Sequence, residues 1–211
     1  MKLDLGSRVR CSDGAERVLA DLVVDAPAKR VTHLVVEVKD HRESARLVPV
    51  ELAHEEADGL ALSCTSEVLD GFEPVREFAY LPAGERPEED DKWGIGVEDV
   101  LVAPTYAPLD PTEAEFDPNV SVLYDRVPKG EVELRASSDV YSADEHHLGC
   151  VHGLDVEPNG AIRALALLRG HLWWKREIAV PADALESLES DVVTLGIDKS
   201  GLGGLPSRRA R

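Results

Sequence analysis

One short stretch, SADEHHLGCVHGLDV (residues 142–156), holds the side chains best suited to chemistry. Its imidazole and thiol groups are suitable ligands for Zn²⁺ or another borderline cation, and they belong to His146, His147, Cys150 and His152. Side chains alternate between the two faces of an extended strand, so His146, Cys150 and His152 are expected to share one face. A metal site, in a metal-binding protein or an enzyme, is therefore one interpretation of this stretch.

A purely structural interpretation is favoured over the metal site. The spacing of the ligands matches no common zinc signature, and Gly149 is expected to interrupt the strand. Asp144 would then open a polar turn, and LGCVHGLDV would enter a β-strand. A cysteine and a histidine can also act as nucleophile and base, but proximity in sequence does not indicate such a pair. The chain has no nucleophile elbow and no phosphate-binding glycine loop. We expect no enzymatic activity, no catalytic residue and no cofactor.

A second candidate site is RGHLWWKRE (residues 169–177), where Trp173 and Trp174 are adjacent. In a strand, one indole would face the core and the other would face outward, so a simple hairpin accounts for the run. Exposed tryptophan beside arginine is also typical of the energetic centres of protein interfaces. We therefore predict a partner-binding surface, formed by Trp173, Trp174, Arg169, Lys175 and Arg176.

The charge of the chain restricts its partners. It carries 41 acidic and 23 basic residues, a formal net charge of −18. Residues 77–125 alone hold 13 acidic and 2 basic residues, whereas the last residues, PSRRAR, are basic. A field of this sign repels phosphate backbones, so nucleic acid is a disfavoured partner. No apolar run is long enough to span a bilayer, and the N-terminus lacks the apolar core of a signal peptide. We expect a cytoplasmic protein.

The elements that must position both candidate sites occur twice. Residues 22–49 and 154–181 share an order of apolar runs and turns, and Leu22 and Pro49 match Leu154 and Pro181 at a constant offset. Each copy consists of short β-rich runs separated by turn signals such as EPNGA, which predicts small barrels or sandwiches. VPADALESL, SEVLDGF and KSGLGGL are predicted to form single helical turns.

These repeats resemble the PRC-barrel family. The similarity is carried by DG…LVVD…VTHLVVEV…LVPVELA in the first copy and by VYSADEHHLGCVHGLDVEPNGAIRALALLRGHLWWKREIAVPADAL in the second. It covers roughly residues 5–75 and 130–205. The family includes a domain of the photosynthetic reaction-centre H subunit and the C-terminal half of the ribosome-maturation factor RimM. The resemblance implies a small β-barrel that docks onto partners, and its motif contains no catalytic residue.

The sequence thus predicts a mainly-β protein of two PRC-barrel-like domains, at residues 1–76 and 126–205. Residues 77–125 are predicted to be an acidic, proline-rich linker that is partly docked, and residues 206–211 a basic tail. We expect a non-enzymatic scaffold that binds an unidentified protein through the second barrel. The alternatives are an RNA- or ribosome-associated factor, by analogy with RimM, and a metal-binding protein or enzyme that uses the histidine-rich turn. Pairing of edge strands would also permit a homodimer.

Overall fold

The computed structural model describes residues 1–57, 59–82, 84–102, 119–170 and 175–209. The chain is mainly β, which confirms the predicted fold class. The strands of the first repeat are β1 (Lys2–Asp4), β2 (Arg8–Arg10), β3 (Glu16–Asp25), β4 (Arg30–Val38), β5 (His41–Pro49), β6 (Ala53–Glu56) and β7 (Gly59–Leu62). The next three strands are β8 (Arg76–Pro82), β9 (Trp93–Val102) and β10 (Asn119–Pro128). The strands of the second repeat are β11 (Val132–Leu134), β12 (Asp139–Tyr141), β13 (His147–Val156), β14 (Ile162–Arg169), β15 (Arg176–Pro181), β16 (Leu185–Glu189), β17 (Val192–Leu195) and β18 (Ser207–Arg209).

Helical segments are short, and three of the four in the described residues lie where the sequence predicts helical turns, whereas the turn at Val50–Leu52 was not predicted. They are α1 (Ser66–Asp70) and 3₁₀ turns at Val50–Leu52, Ala182–Ala184 and Gly201–Gly204. Two of the 3₁₀ turns follow Pro49 and Pro181, whose fixed φ angles suit the entry to a turn. Thr65 caps α1 by accepting a hydrogen bond from the Val68 amide through its side chain. None of the helices in the described residues is long and apolar enough to cross a membrane.

The two repeats form two sheets with the same strand order. The first sheet runs β5-β4-β3-β2-β7-β6, and the second runs β15-β14-β13-β12-β17-β16 with β18 added at the β15 edge. In both sheets the pairing of β2 with β7, or of β12 with β17, is parallel, while their other strand pairs are antiparallel. The internal repeat found in the sequence is thus a repeat of topology as well.

The first strand of each repeat belongs to the sheet of the other repeat. β1 pairs with β13 and places Leu3 opposite Leu154. β11 pairs with β3 and places Leu134 opposite Leu22. All four leucines are buried in one hydrophobic cluster that contains residues of both sheets. The predicted domain boundaries at residues 76 and 126 separate the two repeats along the chain. The β1–β13 and β11–β3 pairs nevertheless join strands from opposite sides of both boundaries.

A second contact joins the repeats at their β-hairpin turns. The Val31 amide donates to the Gly160 carbonyl at 2.9 Å, and the Ile162 amide donates to the Lys29 carbonyl at 2.9 Å. Gly160 has a φ of +84°, and a Cβ atom at this position would lie 2.3 Å from the Val31 carbonyl oxygen. Glycine is therefore required both for the turn and for the close approach of the two hairpins.

A third sheet, in the order β8-β10-β9, covers part of the outer face of the first sheet. Most of its described residues fall within 77–125, the segment predicted to be a partly docked linker. Val75 and Val127 form an outer apolar cluster with Val23 and Val35, and Trp93 packs against this cluster. Because β3 and β4 are covered on both faces here, their apolar residues are consecutive in sequence rather than alternating.

We expect Leu3→Ala to lower the free energy of unfolding by about 2–5 kcal/mol, the usual cost of truncating a buried leucine. Leu3 is fully buried although it is the third residue of the chain. Leu134→Ala, its counterpart in the other sheet, should cost a similar amount. Urea unfolding followed by circular dichroism measures both effects. The control is Lys2→Ala, an exposed position on the same strand. Equal stability of the Leu3→Ala and Lys2→Ala variants would contradict the strand exchange.

Candidate functional site

The basic residues of the predicted partner-binding surface meet at one end of the second sheet. β14 ends at Arg169 and β15 begins at Arg176, and the two arginines are direct cross-strand partners. Arg169 is half-buried, whereas Arg176 and the preceding Lys175 are exposed. We call Arg169, Lys175 and Arg176 the basic hairpin end. On the next strand, Arg209 is the register partner of Arg176, so three neighbouring strands each place an arginine in the same row.

The positive charges of the basic hairpin end are not neutralised within the described part of the chain. None of its three side chains takes part in an ion pair there. One residue further along the strands the situation differs, because Arg208 lies opposite Glu177 and binds its carboxylate at 2.7 Å. Like charges on directly opposed residues destabilise a sheet. The basic hairpin end is therefore a local concentration of positive charge in a protein of net charge −18.

Trp173 and Trp174, the other two residues of the predicted partner-binding surface, lie outside the described residues. In sequence they fall between Gly170 and Lys175, so the connection from β14 to β15 contains them. Their role in binding stays a prediction.

The structure brings together only part of the predicted metal-ligand set. His147 and Cys150 lie side by side on β13, and they converge on Asp139 of β12. His147 Nε2 is 2.9 Å from Asp139 Oδ1, and the Cys150 thiol donates to the same oxygen over 3.8 Å. His146 lies in the preceding turn, where its Nδ1 is 2.9 Å from the Asp144 carbonyl oxygen and 3.1 Å from the carboxylate. His152 is half-buried and is not a member of this group.

A β-bulge explains why the predicted common face of His146, Cys150 and His152 does not form. β12 pairs Asp139 with Cys150 and Tyr141 with His147, so β13 carries one extra residue in this interval. The extra residue places His147 and Cys150 on the same face, although residues three apart in a regular strand lie on opposite faces. Gly149 permits the bulge, because its φ is +149° and a Cβ atom there would lie 2.1 Å from the Leu168 carbonyl oxygen.

The Cys150 thiol is not activated as a nucleophile in this arrangement. Burial raises the pKa of Cys150 above its ordinary value, and the carboxylate of Asp139 raises it further, against the opposing charge of Lys175. A nucleophilic cysteine requires the reverse shift, toward the thiolate at neutral pH. The absence of a catalytic pair at Cys150 and His147 stays a prediction.

A cluster of buried charged side chains lies between the first and third sheets, and the sequence did not indicate it. The cluster combines four carboxylates with two guanidinium groups: Asp21, Glu37, Asp125, Glu133, Arg76 and Arg135. Arg76 Nε is 3.0 Å from Asp125 Oδ1, and Arg76 Nη1 is 3.2 Å from Glu37 Oε2. Arg135 binds the other oxygen of Asp125, which is fully buried. Because carboxylates outnumber guanidinium groups, one carboxyl gains from staying protonated. Burial, reinforced by Asp125 and Glu37 and opposed by both arginines, raises the pKa of Asp21 to about 7.

Sequence reasoning also missed an exposed aromatic pair on β8. Phe78 and Tyr80 are 68% and 59% exposed, and the separation of two residues puts them on the same face of the third sheet. The sequence did contain a signal for this strand. REFAYLP, which lies between Glu73 and the acidic run that begins at Glu85, has the alternating pattern that is typical of a half-exposed strand.

Comparisons with known proteins give no relative from which to transfer a function: neither a protein-family model nor a curated protein matches the chain.

Asp21→Asn should make the protein more stable at high pH than the wild type. The folded protein raises the pKa of Asp21 from its ordinary value of 3.8 to about 7, so the folded chain holds this proton more tightly than the unfolded chain does. Its contribution to stability is therefore present at low pH and is lost as the pH rises through about 7. Urea unfolding measures the free energy of unfolding of both proteins at about pH 5 and about pH 8. Between these pH values, the stability of the variant relative to the wild type should increase by on the order of 1–4 kcal/mol.

Asp198→Asn serves as the control, because it removes an exposed carboxylate of the second repeat. We expect it to follow the pH dependence of the wild type. A constant difference in stability between the Asp21→Asn variant and the wild type at both pH values would refute the raised pKa of Asp21.

Proposed function

We propose that this chain is a non-enzymatic protein-docking module that binds an acidic, extended segment of a partner protein at the basic hairpin end. The observation that carries the proposal is the direct opposition of Arg169 and Arg176, with Lys175 beside them and no ion pair to any of the three in the residues described. Cross-strand arginines repel each other in the free protein. A carboxylate-rich segment would relieve this repulsion and form charge-assisted hydrogen bonds with the guanidinium groups.

The position of β18 supports an extended conformation for the bound segment. β18 is a three-residue strand at the edge of the second sheet, and an edge strand offers backbone groups to which a further strand can pair. Arg209 of β18 continues the row that starts at Arg169 and Arg176. A strand added beside β18 would extend the sheet by one strand and would meet this row at its end, next to position 209. Its acidic side chains would supply the specificity, while its backbone would supply sequence-independent affinity.

A place in the PRC-barrel family is part of this proposal, because that family consists of docking modules. Its support is the repeated strand order of the two sheets together with the motifs that carry the resemblance. A cytoplasmic location is also part of it. The thiols of Cys11, Cys64 and Cys150 are all free, as is usual for proteins of a reducing compartment. RNA binding by analogy with RimM is the less favoured function, since the net charge of −18 opposes contact with a phosphate backbone.

Binding of a short fluorescent peptide of alternating glutamate and valine residues tests this function. We expect fluorescence anisotropy at moderate salt to detect binding by the wild type. The double variant Arg169→Glu/Arg176→Glu should bind at least about fivefold more weakly, because four units of charge change at the surface. Trp173→Ala and Trp174→Ala should also weaken binding if both indoles belong to the same surface.

The matched control is Lys39→Glu/Lys199→Glu, which changes the net charge by the same amount at two exposed lysines elsewhere. This control should bind the peptide like the wild type. If both double variants bind the peptide equally weakly, net charge alone explains the loss of affinity, and the proposed surface is wrong. Tighter binding of a single-stranded RNA than of the acidic peptide would favour the RNA-associated function instead.

A further inference from the structure

Three different donor atoms converge on one face of the second sheet, where the central strands β12 and β13 pair. They are Asp139 Oδ1, His147 Nε2 and Cys150 Sγ, and all three lie within 4.8 Å of one another. Asp139 Oδ1 is 2.9 Å from His147 Nε2 and 3.8 Å from Cys150 Sγ. The group combines one oxygen, one nitrogen and one sulfur ligand, a set that suits borderline divalent cations better than Ca²⁺ or Mg²⁺.

The backbone of the sheet fixes the relative positions of these three side chains, whereas the side chains of a chance surface cluster have no such constraint. The extra residue in β13 rotates His147 onto the face of Cys150, and the register then sets both opposite β12. Gly149 is the residue that makes this possible. The ring of Tyr141 makes an edge contact with the His147 ring, with centroids 5.4 Å apart, and so restricts its orientation. Two strands joined by backbone hydrogen bonds therefore hold the three ligands.

The connectivity of the three groups is that of a chelate and not of a catalytic relay. In a nucleophilic triad, histidine lies between the acid and the nucleophile and uses one ring nitrogen for each. Here Asp139 Oδ1 is the common neighbour of both His147 Nε2 and Cys150 Sγ. The three atoms thus cluster around the Asp139 carboxylate, within 4.8 Å of one another.

We propose that Asp139, His147 and Cys150 bind one divalent cation of the Zn²⁺ type, in a site with one position open to solvent. Tetrahedral coordination with ordinary Zn²⁺ bond lengths separates oxygen and nitrogen ligands by about 3.3 Å, and oxygen and sulfur ligands by about 3.6 Å. The observed separations of 2.9 and 3.8 Å differ from these values by less than about half an ångström. The separation of His147 Nε2 and Cys150 Sγ is at most 4.8 Å, and cation binding would bring it to about 3.6 Å, the usual separation of nitrogen and sulfur ligands in a tetrahedral Zn²⁺ site.

Binding exchanges a proton for the metal. The Cys150 thiol releases its proton to solvent, and the sulfur forms its bond to the cation as a thiolate. His147 binds through a ring nitrogen and Asp139 through a carboxylate oxygen. The side chains of Asp139 and His147 are 44% and 51% exposed, so water completes the coordination from the solvent side. This site uses different side chains from the docking proposed above, although Lys175 of the basic hairpin end lies close enough for its charge to act on Cys150.

Titration with Co²⁺ after treatment with a chelator and a thiol reductant tests the site. Tetrahedral Co²⁺ absorbs visible light, and a cobalt–thiolate bond adds a charge-transfer band in the near ultraviolet. We expect one Co²⁺ per chain, both absorptions, and displacement of the cobalt by Zn²⁺. Cys150→Ser should remove the charge-transfer band, and Asp139→Asn and His147→Gln should each weaken binding at least about tenfold.

The controls are His146→Gln, His152→Gln and Cys64→Ser, which leave the three ligands intact and should titrate like the wild type. Absence of the charge-transfer band in the wild type would overturn the proposal. Its persistence in the Cys150→Ser variant would do the same, because the thiolate would then come from another cysteine. If circular dichroism shows that Cys150→Ser does not fold, the Co²⁺ affinities of Asp139→Asn and His147→Gln test the site instead, because both positions are half-exposed. Unchanged affinity in both variants would contradict the site.

Discussion

The exchange of first strands between the two repeats is the constraint on which the rest of this structure depends. β1 finds its backbone hydrogen-bond partners on β13, and β11 finds its partners on β3. A strand inside a sheet must satisfy its amide and carbonyl groups there, so each repeat needs the other to complete its pairing. Leu3 and Leu134 accompany these strands into a single core, which makes the hydrophobic cluster continuous across both repeats.

The exchange also explains why the outer faces of the two repeats differ. β11 directs Leu134 into the shared core, and its neighbour Glu133 is therefore on the opposite face of the first sheet, where the third sheet buries it beside Arg135. On the second sheet β1 occupies the equivalent place, but the neighbouring pair of Asp155 with Arg163 remains partly exposed. One outer face thus contains a buried charge cluster and the other contains solvated ion pairs. Buried pairs lose their hydration on folding, so they favour one arrangement of the third sheet over others more strongly than exposed pairs do.

Much of the fold was predictable because local patterns determine it. Turn residues and apolar runs identified the two repeats, and Pro181 marked the helical turn that follows it. The sequences of the strands also indicate the difference between the outer faces. The consecutive residues LVV in β4 are all buried, whereas burial alternates along RALAL in β14. The partner of β1 was not predictable, because alternation assigns a face to Leu3 but does not say which sheet receives it.

The candidate sites were less predictable, for a physical reason that they share. Asp139 joins His147 and Cys150 across a strand pair, and a one-residue bulge reverses the expected face. The buried charges come from five different strands and a loop, and no spacing along the chain connects them. Arg169 and Arg176 were found in the sequence as neighbours of two tryptophans. Their direct opposition, which gives them their significance, is a property of the register.

The exchanged strands have a consequence for the order in which the protein can assemble during synthesis. β1 is made well before its partner β13, because about 140 residues separate the two strands along the chain. The first sheet likewise lacks β11 until translation has passed Leu134. Contacts between residues so distant in sequence slow folding, because the intervening chain must be ordered first. The nascent first repeat therefore exposes core side chains of β3 such as Leu22 until the second repeat is made, and exposed apolar surface of this kind is prone to aggregation.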